Sequence, residues 1–255
     1  MHQLDDPLRM VRAAVAALYE VFAGYPLRDW TDPCPHCHTA DDERALRRAP
    51  LRELTAEDLR WYATDSLMLW GNLGDLKHFL PRILEIAATE GFEFPDVEIV
   101  YGHLAYGSFA AWPAPERAAV RDLAMAHWRM ALAEGVDLVH FEPVLTGIML
   151  IEDDLTAYLE YWERSDDAAT LANLAGYAQE IARILAGERD WNAFLAVGEP
   201  SGPYGAVRPG PAQVVAWLTG PDLAARLAAR RGTVSGPQAR AALEAALRAV
   251  GDLRS

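Results

Sequence analysis

Apolar residues recur every three or four positions through most of this chain, and almost no stretch alternates. The segment PLRMVRAAVAALYEVFAG places Leu8, Val11, Val15, Leu18 and Val21/Phe22 on one stripe, which Gly24 and Pro26 then interrupt. After a cysteine-bearing loop, ADDERALRR puts acids in a first turn and arginines in a last one, the order a helix dipole favours. The next helix opens at Thr55, with Asp58 in the position of a capping-box acid, and should run to Gly71. A further helix from Asp75 to Gly91 carries Leu76, Phe79/Leu80, Ile83 and Ile86/Ala87, with Pro81 inside it predicting a kink or an irregular first turn.

Helices are also predicted over 96–111, 115–134, 142–151, 154–164, 167–186 and 189–196. Residues 198–211, rich in glycine and proline, are the one break in composition and read as a linker or long loop. Beyond them AQVVAWLTG, PDLAARLAARRG and GPQARAALEAALRAVGDL predict a small helical appendage. The expected architecture is therefore all-α: a main domain over 1–197, the linker, and an appendage over 212–255. Antiparallel helices of this length suit either an irregular α-α superhelix of the HEAT kind or a multi-helix bundle. HFLPRILEIA is similar to the first helix of a HEAT repeat, although no clean internal repeat appears.

Composition changes this picture little. The 255 residues are 51% hydrophobic and 24% charged, enough for a sizeable core. Charge changes it more. The net of −14 argues against general nucleic-acid binding, which needs a basic face. Residues 1–200 carry 16 basic and 34 acidic side chains, whereas 201–255 carry 7 and 3; a solvated surface with unevenly placed arginines is the simpler account, and a basic tail that folds back on the acidic body or meets another acidic partner is the alternative. The N-terminal stretch lacks a signal-peptide pattern and no apolar run reaches membrane-spanning length, so a cytoplasmic protein with reduced thiols is expected.

Both cysteines fall in one motif, Cys34-Pro-His36-Cys37-His38. Four chemistries can use it. C-x-x-C-H matches a haem attachment site, but that reaction follows export. A C-P-H-C dithiol resembles the active site of thiol oxidases, although no βαβ pattern surrounds it here. The zinc deaminases pair H-x-E with P-C-x-x-C; this chain holds both, at His140–Pro143 and Pro33–Cys37, in the reverse order. The primary expectation is a structural zinc site, in which Cys34 and Cys37 form half of a tetrahedron. His36 and His38 are local ligand candidates. On the helix from residue 75, His78 could complete the site with Asp75 as ligand or orienting group. Such an ion would staple a loop poor in apolar anchors onto the helical body.

Other clusters have plainer readings. Glu152, Asp153, Asp154, Glu160, Glu163, Asp166 and Asp167 could hold a divalent metal, but helix caps and dipoles account for them. Tyr101, His103, Tyr106, Ser108, Phe109 and Trp112 could line an aromatic cleft, with helix packing as the simpler account; His127 beside Trp128 is similar. No P-loop, dinucleotide or G-x-S-x-G fingerprint appears.

The run from CPHCHTADDERALRR through PLRELTAEDL to DLKHFLPRILEI resembles a family of functionally uncharacterised bacterial proteins, over roughly residues 30–165. That resemblance implies an all-helical fold and directs attention to Cys34, Cys37, Asp75, His78, Phe79, Pro81 and Arg82. The expected function is non-enzymatic binding of another protein, a basic one given the acidic body, with no nucleic acid or membrane involved. The alternatives are a zinc-dependent hydrolase with an open Cys34/Cys37/His78 site and a thiol redox protein using the dithiol.

Overall fold

A computed structural model describes residues 6–133, 138–188 and 208–254. Its described residues form twelve α-helices, three short 3-10 turns and no strand, so the chain is all-α as expected. They divide into two compact units, one reaching from the N-terminus to His127 and one from Trp128 to the C-terminus.

The first unit is organised by capping. Helix α1 (Pro7–Val21) starts behind Asp6, whose carboxylate accepts from Leu8 N, and buries Val11, Ala14, Val15, Leu18 and Tyr19. Helices α2 (Ala40–Ala45) and α3 (Ala56–Asp65) each open on a full capping box, Thr39 with Asp42 and Thr55 with Asp58. The Thr55 start matches the sequence reading, but α3 ends at Asp65 and not at Gly71. The backbone NH groups of Met68, Leu69 and Trp70 all turn back to the Asp65 carbonyl, and Leu67 sits in the left-handed region at φ 67°.

Helix α4 (Leu73–Thr89) begins two residues before the expected Asp75 because Asn72 is the cap. Asp75 is the third residue of that helix and completes the box by accepting from Asn72 N at 2.9 Å. The helix continues through Pro81 and packs against α1. Helix α5 (Val97–Tyr106) stops short of its expected end at 111, since Gly107 and a left-handed Ser108 lead into a 3-10 turn at Phe109–Ala111. Helix α6 (Ala114–Ala133) follows.

The second unit contains α7 (Leu138–Ile151), α8 (Thr156–Arg164), α9 (Ala168–Leu185), α10 (Gly210–Thr219), α11 (Pro221–Ala229) and α12 (Pro237–Asp252). Its core is an aromatic cluster in which Trp128 and Trp162 meet edge to face at 5.1 Å and Phe141 lies 5.3 Å from Trp162. Both indoles are satisfied, Trp128 by the Tyr158 carbonyl and Trp162 by that of Thr170.

The C-terminal helices over 212–255, expected as a separate appendage, cluster by contact with 128–188. Helix α12 makes its main packing against α9, so the C-terminal helices share one unit with 128–188. The physical reason is a shared apolar interface, with Leu243, Ala246 and Val250 buried on α12 and Leu174, Ala178 and Ile181 buried on α9. The expected helix over 189–196 and residues 198–207 of the linker lie outside the described residues. The basic tail does fold onto acids of its own unit: Arg226 and Arg230 pair with Glu163 and Asp166, and Arg208 with Asp153.

Candidate functional site

The motif Cys34-Pro-His-Cys37 is a turn. The Cys34 carbonyl accepts from both Cys37 N, at 3.1 Å, and His38 N, at 3.0 Å. That curl places the two cysteines close enough for each thiol to influence the other's ionisation. His36 NH is the strongest influence holding the Cys34 thiol below its ordinary range, followed by the Cys37 thiol, with the Cys37 NH also contributing. Cys37 moves the other way because its proton is engaged by Cys34 and its thiolate would face a second negative sulfur. Neither cysteine is in a disulfide; Cys34 is half-buried and Cys37 exposed.

The turn is anchored on both sides by polar groups. Cys34 N donates to the Leu69 carbonyl at 2.8 Å, and Pro33 and Trp70 form a single antiparallel bridge. Thus the left-handed turn after α3 lies directly against the dithiol. Behind it, Glu43 of α2 is buried and accepts from Thr31 N at 3.2 Å, from the Thr31 hydroxyl, from Trp70 Nε1 at 3.2 Å and from Arg47. Trp70 Nε1 is shared with Thr31 Oγ1 at 2.7 Å. His38 is buried against Trp70 with ring centroids 4.4 Å apart, and its Nε2 lies 3.0 Å from Asp65 Oδ2. That nitrogen makes no aligned hydrogen bond, so the contact is electrostatic proximity and not a directed bond.

The residues expected to complete a metal site have other partners. Among the described residues no three His, Cys, Asp or Glu side chains are grouped so as to hold a metal ion. His78 turns its Nδ1 to the Tyr25 carbonyl at 2.8 Å. Asp75 is wholly buried and forked by Arg28, Nε at 2.8 Å and Nη2 at 2.5 Å. The two share a flank of α4, but their partners come from the segment after α1. His38 stays beside the dithiol, held by Trp70 and Asp65, and His36 is exposed.

The remaining candidates take their simpler roles. Asp154 accepts from Thr156 N and Oγ1, Asp167 caps Thr170 N, and Glu160 pairs with Arg164. Burial is the largest influence lowering His103, and its Nε2 lies 2.9 Å from the Thr64 carbonyl. Tyr101, Phe109 and Trp112 are core residues, while Tyr106 is 65% exposed. Burial pushes His127 down to about 4. The side chain of His140, the histidine of the H-x-E match, lies outside the described residues.

The residues that sequence reasoning misses are Glu43, Thr31, Trp70 and Asp65. Glu43 reads as part of the favourable dipole of α2, and nothing in its spacing sets it apart from its neighbours, the exposed Asp41 and the half-buried Asp42. Among the described residues no helix is long and apolar enough to cross a membrane. No protein-family model, curated protein or solved structure gives a significant match to this chain.

Proposed function

We propose that this chain is a thiol–disulfide exchange protein whose reacting group is the Cys34/Cys37 dithiol. The observation that carries the reading is one tight turn, closed by the Cys34 carbonyl on Cys37 N and His38 N, that holds two free cysteines three residues apart, with Cys34 drawn below its ordinary range and Cys37 pushed above it. An exchange centre needs one sulfur ready as a thiolate and a second that keeps its proton until the first has reacted.

The Cys34 thiolate attacks one sulfur of a partner disulfide R–S–S–R′. The partner's S–S bond breaks, and R′–S⁻ leaves and takes a proton from water. In the mixed disulfide Cys34 no longer carries charge, so the influence that held the Cys37 proton is gone. Cys37 releases that proton to solvent, its thiolate attacks the Cys34 sulfur, and R–S⁻ departs. The partner disulfide has gained two electrons, and the pair has lost them in forming its own S–S bond. The reverse direction oxidises a partner dithiol by the same steps.

Two thiolates also make half of a zinc site, so the deciding experiment measures both chemistries. Protein purified without chelator is assayed for bound zinc, and Cys37→Ser and Cys34→Ser variants are exposed to a peptide disulfide and analysed by mass spectrometry. The expected result is a trapped mixed disulfide on Cys34 in Cys37→Ser and little on Cys37 in Cys34→Ser. Stoichiometric zinc that disappears in both variants would replace this reading with a structural metal centre.

A further inference from the structure

The dithiol's surroundings bear on which disulfides it could take, and this inference rests on the exchange reading. Among the described residues nine large apolar side chains are exposed, and three of them belong to the two segments that frame Cys34. Trp30 is 49% exposed in the approach to the motif; Met68 and Leu69, 55% and 42% exposed, form the tip of the facing turn. Leu69 is in register with the reacting residue, since its carbonyl holds Cys34 N at 2.8 Å.

That turn presents its apolar tip at a cost. Leu67 adopts φ 67°, a region that disfavours a branched side chain. The Asp65 carbonyl takes three successive NH groups to close the turn. A glycine at 67 would relieve the conformation, and inward-facing side chains at 68 and 69 would bury apolar surface. The chain does neither, and exposed apolar side chains on the turn that is hydrogen-bonded to Cys34 are the kind of surface that holds another molecule.

Charge selects among the molecules that could be held there. From residue 29 to residue 43 the chain carries Asp29, Asp32, Asp41, Asp42 and Glu43 and no lysine or arginine. Glu43 is neutralised by Arg47, Arg28 is shared between Asp32 and the buried Asp75, and Arg44 pairs with Asp41. Arg60 reaches Asp42, yet the acids Asp29, Asp32, Asp41, Asp42, Glu43, Asp65 and Asp75 still outnumber Arg28, Arg44, Arg47 and Arg60, so the surroundings of the motif are net acidic. Among them the charge of Asp65 opposes ionisation of both thiols. A small anionic disulfide such as oxidised glutathione has no apolar surface to offer Met68 and Leu69, and the rim repels its carboxylates.

We infer that the substrate class is a cysteine-bearing polypeptide segment with apolar residues beside its disulfide and basic residues further out, docking on Trp30, Met68 and Leu69. The apolar tip supplies the hold, and the acidic rim gives the sign of the flanking charge. Extended backbone on the partner could also add beside the isolated bridge between Pro33 and Trp70.

The test compares initial rates of Cys34 reaction with four disulfides: a peptide with apolar and basic flanks, the same peptide with acidic flanks, oxidised glutathione, and the small neutral reagent 4,4′-dithiodipyridine. The full chain is used, with a Met68→Ser/Leu69→Ser variant that leaves every backbone contact of the turn in place. The expected result is a rate with the basic apolar peptide at least about tenfold above that with oxidised glutathione. In the double variant that rate should fall about tenfold, while the rate with dithiodipyridine stays within about twofold. Equal rates with the peptides and glutathione, or an equal loss with every disulfide in the double variant, would overturn the inference while leaving exchange itself standing. Failure of all four disulfides to react with Cys34 in wild type would remove the exchange reading and the substrate class together.

Discussion

Replacing Asp75 by asparagine tests the frame that holds the dithiol, because this one carboxylate joins α4 to the segment leading into the motif. Its two oxygens accept from Arg28 Nε at 2.8 Å, Arg28 Nη2 at 2.5 Å and Asn72 N at 2.9 Å, in a site with no solvent exposure. The substituted amide would match the volume and could keep one acceptor, but its NH2 group would face the guanidinium donor to donor. Breaking a buried ion pair from one side costs roughly 3–5 kcal/mol. Arg28 is 40% exposed and keeps Asp32 at 3.2 Å, so water and a second acid recover part of that. The expected loss is therefore about 3 kcal/mol, on the order of a hundredfold in the folding equilibrium. Arg28 also offers its carbonyl to Arg47 at 2.5 Å, so its release should loosen residues 26–38 first. Urea unfolding of Asp75→Asn, Arg28→Met and the double variant would give the pairwise term, expected at about 2 kcal/mol. Amide exchange in peptides covering 26–38 and 73–89 would localise it. A single-variant loss below about 1 kcal/mol, or strictly additive losses, would refute the assignment of Asp75 as a structural partner of Arg28.

Three further outcomes follow from the same contacts. Cys37→Ala removes a thiol that helps draw Cys34 below its ordinary range, so the pH midpoint for alkylation of Cys34 should rise and its rate at neutral pH should fall; an unchanged profile would mean the two sulfurs do not communicate. Trp70→Phe leaves Thr31 Oγ1 and the buried Glu43 each short of a donor and opens a small void, which should cost about 2–3 kcal/mol by urea unfolding; a loss under about 1 kcal/mol would show that the indole NH is dispensable. His127, pushed down to about 4 by burial, is neutral in the fold while the unfolded chain takes up a proton from about pH 6.5 downward. Its contribution is complete above pH 6.5 and is lost as the pH falls toward 4, by about 3 kcal/mol, so His127→Leu should flatten that part of the stability curve; parallel curves would contradict its burial as a neutral base.

Much of the fold is legible because caps and stripes are local. Thr55 with Asp58 marks the start of α3, and the i, i+3/i+4 stripes locate α1 and α4, since each depends on residues one turn apart. Helix ends are read less well. Gly71 reads as the stop of α3, yet the chain leaves the helix at Asp65 because the Trp70 indole must reach Thr31 and Glu43, a demand set 39 and 27 residues away. Asp75 reads as a helix start and as a ligand or orienting group for a metal. It is instead committed to a cap and to Arg28, which no spacing on α4 could reveal. The division of the chain is illegible for a similar reason, as the burial of α12 against α9 joins residues on either side of the glycine- and proline-rich break.

The site is legible as a pair of thiols and illegible as an environment. Cys34 and Cys37 are separated by a turn's length, and the sequence alone brings them together. What surrounds them decides between staple and reagent. A loop with little apolar surface needs some polar tie to the helical body, and a metal ion is one solution. Glu43 is another: a buried carboxylate drawing in Thr31, Trp70 and Arg47 fastens the segment before the motif to the turn that faces it. On the exchange reading that tie is made by the carboxylate, and neither sulfur serves as an anchor. Glu43→Gln should then loosen the loop, by amide exchange across 30–38, without abolishing the reactivity of Cys34. A Cys34/Cys37 double serine variant should leave stability within about 1 kcal/mol of wild type. The opposite ranking, with the cysteines carrying the stability and Glu43 dispensable, is what a structural metal would produce.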